Sequence, residues 1–388
     1  MTRAATKLVA LYVVLAVPGC GGDGADAPPV DEDAGRKAEL RAVLGLADDM
    51  EVPYIPPANP PTAAKVALGR RLFYERRLSA NGSQACADCH VQALAFSDGR
   101  ARSVGSTGVL LRRNSQGLAN VAYAASLTWA SDGLLTLEQQ IHVPLTSDNP
   151  IELGLTDGVR DSVFSQLGAD PVYAAAFAAA FADGTVTLER IIFALASFCR
   201  TLVSRGAAFD RYLAGDDSAM TEEQQLGAEL FFGERFECFH CHNGSLFTGS
   251  YRDARDTEPR LAFFNNGLYN VGGDGSYPAH DQGLYDLTGN PEHRGLFRPP
   301  SLRNVALTSP YMHDGTVATL RAVVEHYVAG GREVADGPFA GDGRASPIKS
   351  GLVRPFTATA AEVDAVVAFM TALTDLSFTT DSRFASPP

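Results

Sequence analysis

The chain is short of positive charge: 32 Lys and Arg stand against 45 Asp and Glu, a formal net charge of −13 over 388 residues. An acidic chain lacks the electrostatic footprint of a nucleic-acid binder, so no nucleic-acid partner is expected. Aromatic residues are few, at 9%, with a single tryptophan, Trp129. Charged residues make up only 20% beside 45% hydrophobic ones, which excludes wholesale disorder, a collagen repeat and a coiled coil. Convincing runs of strand-like sequence are also missing. With 37 Gly and 22 Pro, many loops should separate moderate helices. The expected fold class is mostly α, with long ordered loops. At roughly 100–200 residues per domain, two or three domains are expected.

Long apolar runs are scarce as well. The run from Leu8 to Val17 is preceded by Arg3 and Lys7 and followed by Pro18-Gly19-Cys20. It is too short to span a bilayer permanently and has the layout of an export signal. It resembles a bacterial lipoprotein signal over residues 1–19, with Cys20 as the lipidated first residue. Residues 20–60 then read as a flexible tether, Gly-, Ala- and Asp-rich at first and Pro-rich from Pro53 to Pro61. The body is expected in a periplasm, touching membrane only through the lipid on Cys20.

Cysteine is limited to six residues, and their placing is informative. Beyond Cys20, four of five form Cys86-Ala87-Asp88-Cys89-His90 and Cys238-Phe239-His240-Cys241-His242. C-x-x-C-H is the attachment signal for c-type haem. Two thiols add to the porphyrin vinyl groups, and the adjoining imidazole lies under the iron. A zinc site or disulfides would leave both histidines unexplained. Two covalently attached haem c groups are therefore expected. Cys199 falls on the apolar face of a helix expected over Leu188 to Ser204, and reads as a buried core thiol.

The motifs sit in an internal repeat. Leu68-Gly69-Arg70-Arg71-Leu72-Phe73 precedes the first, and Leu226-Gly227-Ala228-Glu229-Leu230-Phe231 precedes the second. Each reads as an amphipathic helix leading into the loop that carries the cysteines. Thr221 with Gln224 forms a capping box for the second copy, as Thr359 with Glu362 does for a helix over Ala360 to Leu373. A further helix is expected over Val159 to Phe181. Two cytochrome c-like haem domains follow, at 61–205 and 206–388.

The two proximal histidines leave two axial positions open. Met would suit electron transfer, Tyr would hold ferric or higher iron, and an empty position permits peroxide chemistry. Residue chemistry alone leaves Tyr327, Met312, His313 and His326 as candidates. Peroxide cleavage also needs a proton shuttle, for which Glu152 and His142 are candidates. Trp129 could pack in a core or pass electron holes between haems.

Taken with both haem motifs, Arg113-Asn114, Trp129, Gln140, Pro144, Asn149-Pro150-x-Glu152 and Leu302-Arg303-Asn304-Val305…Thr308-x-Pro310-Tyr311-x-His313-Asp314-Gly315 resemble the bacterial di-haem cytochrome c peroxidase and MauG superfamily. The similarity runs from about Ala63 to Leu376. Within that superfamily the chain resembles the methanobactin-associated enzymes of the MbnH type, through Ala64 to Tyr74, Leu137-Glu138-Gln139-Gln140 and Glu237 to His242.

The resemblance implies a five-coordinate peroxide site at the His90 haem, with Glu152 as distal glutamate and Gln140 and Pro144 in the same pocket. It implies a six-coordinate haem on His242 with Tyr327 as axial ligand, and Trp129 between the haems. It also implies Ca²⁺ held by the Asn114 side chain and the Thr308 and Pro310 carbonyls. Two departures stand out. The loop Val104 to Arg113 has no histidine that could cover the first haem, so an always-open site is expected. Where MauG has a surface-relay tryptophan, this chain has Phe236, which is much harder to oxidise.

The function expected is a periplasmic di-haem oxidase. It would use H₂O₂ to reach a high-valent di-haem state and oxidise a protein partner, by analogy at a tryptophan of a companion protein linked to copper handling. Two alternatives remain: a cytochrome c peroxidase drawing electrons from a small cytochrome or copper protein, and a non-catalytic di-haem electron carrier.

Overall fold

The structure is a computed structural model that describes residues 32–388. The signal, Cys20 and the first part of the tether lie outside the described residues. The described chain is helical: α1 (Glu32–Leu44), α2 (Ala63–Phe73), α3 (Cys86–Cys89), α4 (Leu137–Thr146), α5 (Asp157–Ala169), α6 (Pro171–Ala180), α7 (Leu188–Cys199), α8 (Ala208–Leu213), α9 (Glu222–Phe231), α10 (Tyr285–Thr288), α11 (Leu320–Val328), α12 (Ala360–Ala372) and α13 (Leu376–Thr380). Among the described residues, strand structure is confined to one antiparallel pair, β1 (Glu333–Val334) and β2 (Gly341–Asp342), with Glu333 opposite Asp342. Among the described residues, no helix is long and apolar enough to cross a membrane.

The repeated Leu-Gly-x-x-Leu-Phe has a packing origin. A Cβ on Gly69 would lie 1.9 Å from the Ala194 carbonyl oxygen, and one on Gly227 would lie 1.8 Å from that of Ala365. Both glycines thus let a helix cross a partner at backbone contact, α2 on α7 and α9 on α12. In each pair the next residue met is a phenylalanine, Phe198 or Phe369, through its Cβ. Leu68, Leu72 and Phe73 of the first copy and Phe231 of the second fill the core beside each crossing, whereas Leu226 is exposed and Leu230 half-buried. Leu68, Leu72 and Phe73 pack with Leu195 and Phe198, and Phe231 packs with Val366 and Phe369. Each such buried side chain contributes roughly 1.5–3 kcal/mol.

Capping fixes where these helices start. Thr221 accepts from Gln224 N at 3.2 Å while the Gln224 side chain accepts from Thr221 N at 3.0 Å. Thr359 and Glu362 repeat the arrangement at 3.2 and 2.8 Å. Two orphan helix donors are satisfied each time.

Four expectations need correction. From residue 32 the segment expected as a tether is folded: Leu44 at the end of α1 forms a small core with Leu46 and Val52 against Val203. The helix expected over Val159 to Phe181 is two helices, because Pro171 has no N–H to donate and Asp170 caps the second by accepting from Val172 N at 3.0 Å. Helix α7 stops at Cys199 rather than reaching Ser204. Leu202 O and Ser204 N bond to Asn120 instead, at 2.7 and 3.1 Å. Finally, the chain's end returns to the first core, where Phe378 and Phe384 pack. Tyr74 OH donates to Phe384 O at 2.7 Å and Arg70 Nε to Ala385 O at 2.6 Å.

Candidate active site

Both cysteine motifs open onto one continuous cavity of about 1500 Å³. That exceeds the roughly 300–1,000 Å³ of a pocket for one small molecule. Its lining includes Cys86, Cys89, His90, Cys238, Cys241 and His242.

The motifs fold alike. His90 N donates to Cys86 O and His242 N to Cys238 O, both at 2.9 Å, closing one turn that brings both thiols and the imidazole to the cavity. His90 Nδ1 lies 2.7 Å from Phe96 O, and His242 Nδ1 lies 3.0 Å from Phe247 O. A carbonyl only accepts, so Nδ1 carries the proton and Nε2 is left as a lone-pair donor. Phe96 and Phe247 both take left-handed backbone conformations, φ 64° and 54°, which turn those carbonyls inward. Burial holds both histidines below their ordinary pKa and so neutral. A neutral imidazole oriented through Nδ1–H is the form that binds iron. The four motif cysteines form no disulfide.

The rest of the lining fits a haem as well. Arg298 is buried, and burial pushes its pKa down to about 10. Its Nε donates to Thr128 O at 3.0 Å and it also bonds Gln116, but no carboxylate pairs with it among the described residues. Ser250 Oγ and Gln140 Oε1 are buried without a partner, and both residues line the cavity. The buried Arg298 cation and the Ser250 hydroxyl, which can donate, call for an anionic occupant, and the carboxylates of haem would supply that. Gln140 Oε1, an acceptor, calls instead for a hydrogen donor.

On the first motif's side the structure gathers Glu152, Gln140 and Pro144 in the cavity lining. The end of α4 places Glu152. Its last carbonyls have no partner within the helix. Pro144 O accepts from Leu153 N at 2.9 Å and Leu145 O from Leu155 N at 2.7 Å, which clamps the Glu152 loop. Burial pushes the Glu152 carboxyl up to about 7. His142, the other candidate shuttle, is exposed on the far side of α4, where Nδ1 lies 3.1 Å from Thr146 Oγ1. The loop without histidine is fastened to the same wall: Ser106 N donates to Glu152 O at 2.7 Å, and Gln84 Nε2 to Val104 O at 2.9 Å.

On the second motif's side α11 presents Tyr327 to the cavity. Burial pushes its hydroxyl up to about 12, and the Cys241 and Cys238 thiols lie close enough to add to that rise. His326 turns the other way, and its Nε2 lies 2.9 Å from Asn266 O. His313 is stacked on Phe297 with centroids 3.7 Å apart. Met312 accepts from Asn266 Nδ2 at 3.4 Å and packs against the cluster of Leu268, Tyr277 and Phe297.

Trp129, Asn114, Thr308 and Pro310 line the cavity too. Trp129 Nε1 donates to Asn114 O, and Asn114 N to His313 O, both at 2.8 Å, so the indole is tied to the Tyr311–Gly315 loop. Asn114 Nδ2 donates to Arg100 O at 2.7 Å, which leaves its Oδ1 as a ligand oxygen. Cys199 is a buried thiol of the first core. Sequence reasoning missed Arg298, since its partner would be a cofactor. It also missed the Arg200–Glu138 pair at 2.8 Å that braces α4 on α7, two residues 62 apart in sequence.

Two histidine-delivering motifs on one cavity, each oriented alike, define a di-haem c-type oxidoreductase. Comparison with known proteins agrees. Residues 63–218 match the sequence model of the family described as di-haem cytochrome c peroxidase. The cytochrome-c peroxidase IdrP1 of Denitromonas iodatirespirans is 38% identical over 82% of this chain and 84% of that protein. The methylamine utilization protein MauG of Methylorubrum extorquens is 36% identical over 72% of each. A crystal structure of a MauG-like protein associated with microbial copper homeostasis is 45% identical, with TM-score 0.86, covering 88% of this chain and 98% of that one. The chain therefore belongs to the di-haem cytochrome c peroxidase and MauG family of haem-dependent oxidoreductases that act with peroxide. Membership brings two haem c groups.

Proposed function

We propose that the protein is an exported, lipid-anchored di-haem oxidase of MauG type, which uses H₂O₂ to oxidise a residue of a protein partner. The observation that carries this reading is Tyr327, the α11 side chain turned into the cavity beside Cys238 and Cys241. A phenolate oxygen is a hard ligand suited to oxidised iron. When bound, the haems would supply the peroxide-binding iron and the store for two oxidising equivalents. Cys86, Cys89 and His90 would hold one, and Cys238, Cys241, His242 and Tyr327 the other.

The remaining steps belong to the chain. The carboxylate of Glu152 takes the proton from one peroxide oxygen and returns it to the departing one, and a pKa near neutrality suits both roles. Gln140 offers its unpaired Oε1 to a hydrogen of the bound peroxide. The fastened Val104–Arg113 loop carries no histidine that could cover the first pocket, which would stay open to peroxide. Trp129 carries holes between the two sites. Asn114 Oδ1, with the Thr308 and Pro310 carbonyls, would hold one Ca²⁺ and fix that bridge. The partner's oxidised residue is assigned as tryptophan by analogy with MauG. The likeness to a copper-homeostasis protein supports a copper-linked partner.

The test is one equivalent of H₂O₂ added to never-reduced ferric holoprotein in a stopped-flow spectrometer. An immediate, long-lived change of the haem spectrum is expected. Absence of reaction until one haem is reduced would overturn the open-site reading. It would favour the second one, a peroxidase fed by a small cytochrome or copper protein, as the names of several relatives suggest.

A further inference from the structure

If the oxidant is stored at the haems and spent on a partner, holes must reach the surface. The position used for this in MauG-like enzymes is Phe236 here. Its ring is 6% exposed and packs on Phe356 with centroids 4.8 Å apart. A benzene ring is a poor hole carrier, so another outlet is needed.

Two pairs of tyrosines start near the cavity. Tyr277, beside His313, leads only to Tyr269, and the two are 1% and 5% exposed, so that path ends inside the protein. The other pair is Tyr123 and Tyr251. Tyr123 is buried and lines the cavity. Tyr251 is partly exposed. Their rings are parallel within 7°, with centroids 5.9 Å apart, in the offset-stacked range. The pair is fixed to the second haem motif: Gly249 N, two residues before Tyr251, donates to Cys241 O at 2.8 Å. Backbone pairing of Ala124 with Tyr251, and of Arg252 N with Tyr123 O at 2.9 Å, holds the rings in register.

Oxidising a phenol also requires somewhere for its proton to go. Tyr251 OH donates to Asp253 Oδ2 at 3.1 Å. The Asp253 carboxylate is fully buried but bonded by Arg255 NH2 at 2.7 Å and by Arg255 N at 2.8 Å. Burial works against its charge, yet these bonds hold its pKa below the ordinary value. Tyr123 OH donates to Glu51 O at 2.7 Å, a carbonyl that cannot keep a proton. The radical should therefore settle at Tyr251, the surface end.

We propose that Tyr123 and Tyr251 form the outlet through which oxidising equivalents leave the second haem for the partner, with Asp253 as the local proton acceptor. This rests on the oxidase reading above. In each passage Tyr251 loses one electron inward, through Tyr123, to the equivalent left by peroxide, and loses its phenolic proton to Asp253. The partner then gives one electron to the Tyr251 radical, and Asp253 returns the proton. Two passages consume the two equivalents of one H₂O₂ and complete a two-electron oxidation of the partner.

The test treats ferric holoprotein with one equivalent of H₂O₂ in the presence of a nitroso spin trap. The haem spectrum is followed in parallel, and trapped peptides are identified by mass spectrometry. A tyrosyl adduct is expected on the Tyr251 peptide, lost in Tyr251→Phe and diminished in Tyr123→Phe. Tyr251→Trp, which keeps an oxidisable ring, should restore trapping at that position. If the haem spectrum responds to peroxide but the adduct forms elsewhere, or survives undiminished in Tyr123→Phe, the outlet is wrong and the oxidase reading stands. If the wild-type haem spectrum does not respond, both fall.

Discussion

Glu152 gives the sharpest prediction, because its environment sets a number. Burial pushes its pKa up to about 7 from an ordinary 4.5. The form that accepts the peroxide proton is the carboxylate. With a pKa of about 7, roughly 9% of molecules hold that form at pH 6 and roughly 91% at pH 8. The second-order rate of the ferric protein with H₂O₂ should thus rise about tenfold over those two units and then level. Replacing Glu152 by Gln keeps size and polarity but removes the base, so the rate should fall by about 10²–10⁴-fold and lose its midpoint. The same shift has a stability sign. A carboxyl whose folded pKa is raised binds more protons folded than unfolded between about pH 4.5 and 7, so stability falls as pH rises through that window. The full effect is at most about 3 kcal/mol above pH 7. The Gln variant should escape it and melt higher than wild type at pH 8. Stopped-flow rates across pH 5.5–8.5 for both proteins decide the matter. A midpoint near 7 that persists in Glu152→Gln, or a rate that barely changes on substitution, would refute the role.

Tyr327→Phe should remove the oxygen donor of the second site. Its ferric spectrum should change, and the peroxide-treated spectrum should decay faster; an unchanged ferric spectrum would exclude Tyr327 as the ligand. Gly227→Ala should push α9 off α12, at a cost of about 1–3 kcal/mol by overpacking, read as a lower denaturation midpoint. An alanine accepted without loss would mean the crossing is looser than 1.8 Å implies. Arg298→Leu removes a buried cation from the cavity wall. The reduced state is then less well stabilised, and at least one haem midpoint should move negative in spectroelectrochemistry. Unaltered potentials would place Arg298 away from both haems.

What could be read from the sequence follows how locally each feature is determined. Cys86, Cys89 and His90 must be contiguous because one macrocycle joins them, so spacing alone revealed them. The same holds for Cys238, Cys241 and His242. The capping boxes at Thr221 and Thr359 are equally local, and both are present. The Leu-Gly-x-x-Leu-Phe repeat was visible, but its cause was not. The atoms that demand a glycine, Ala194 O and Ala365 O, lie more than a hundred residues further on. Arg298 carried no signal, since the group it would serve is not part of the chain. Phe378 and Phe384 return to the first core across almost the whole sequence, which no local pattern announces. The break at Asp170-Pro171 was legible as a cap followed by a proline, and was missed because apolar periodicity runs through both helices.

On the proposed reading, the two halves of the cavity give one scaffold two tasks. The sides that deliver the proximal histidines are nearly interchangeable: the same turn, the same Nδ1–H to a left-handed phenylalanine carbonyl, the same glycine crossing behind. Their chemistry differs on the opposite walls. One wall is a loop clamped to the end of α4, and it brings a carboxyl of near-neutral pKa. The other is α11, and it brings a phenol. Adjacent residues on a helix point about 100° apart, so only one of His326 and Tyr327 can face the cavity. The choice is fixed by Asn266: its carbonyl lies 2.9 Å from His326 Nε2, and its side chain bonds Tyr327. A histidine turned inward would supply a nitrogen donor and a different balance of iron oxidation states. The specialisation of the second site therefore rests as much on the carbonyl that holds His326 back as on the tyrosine it leaves in place.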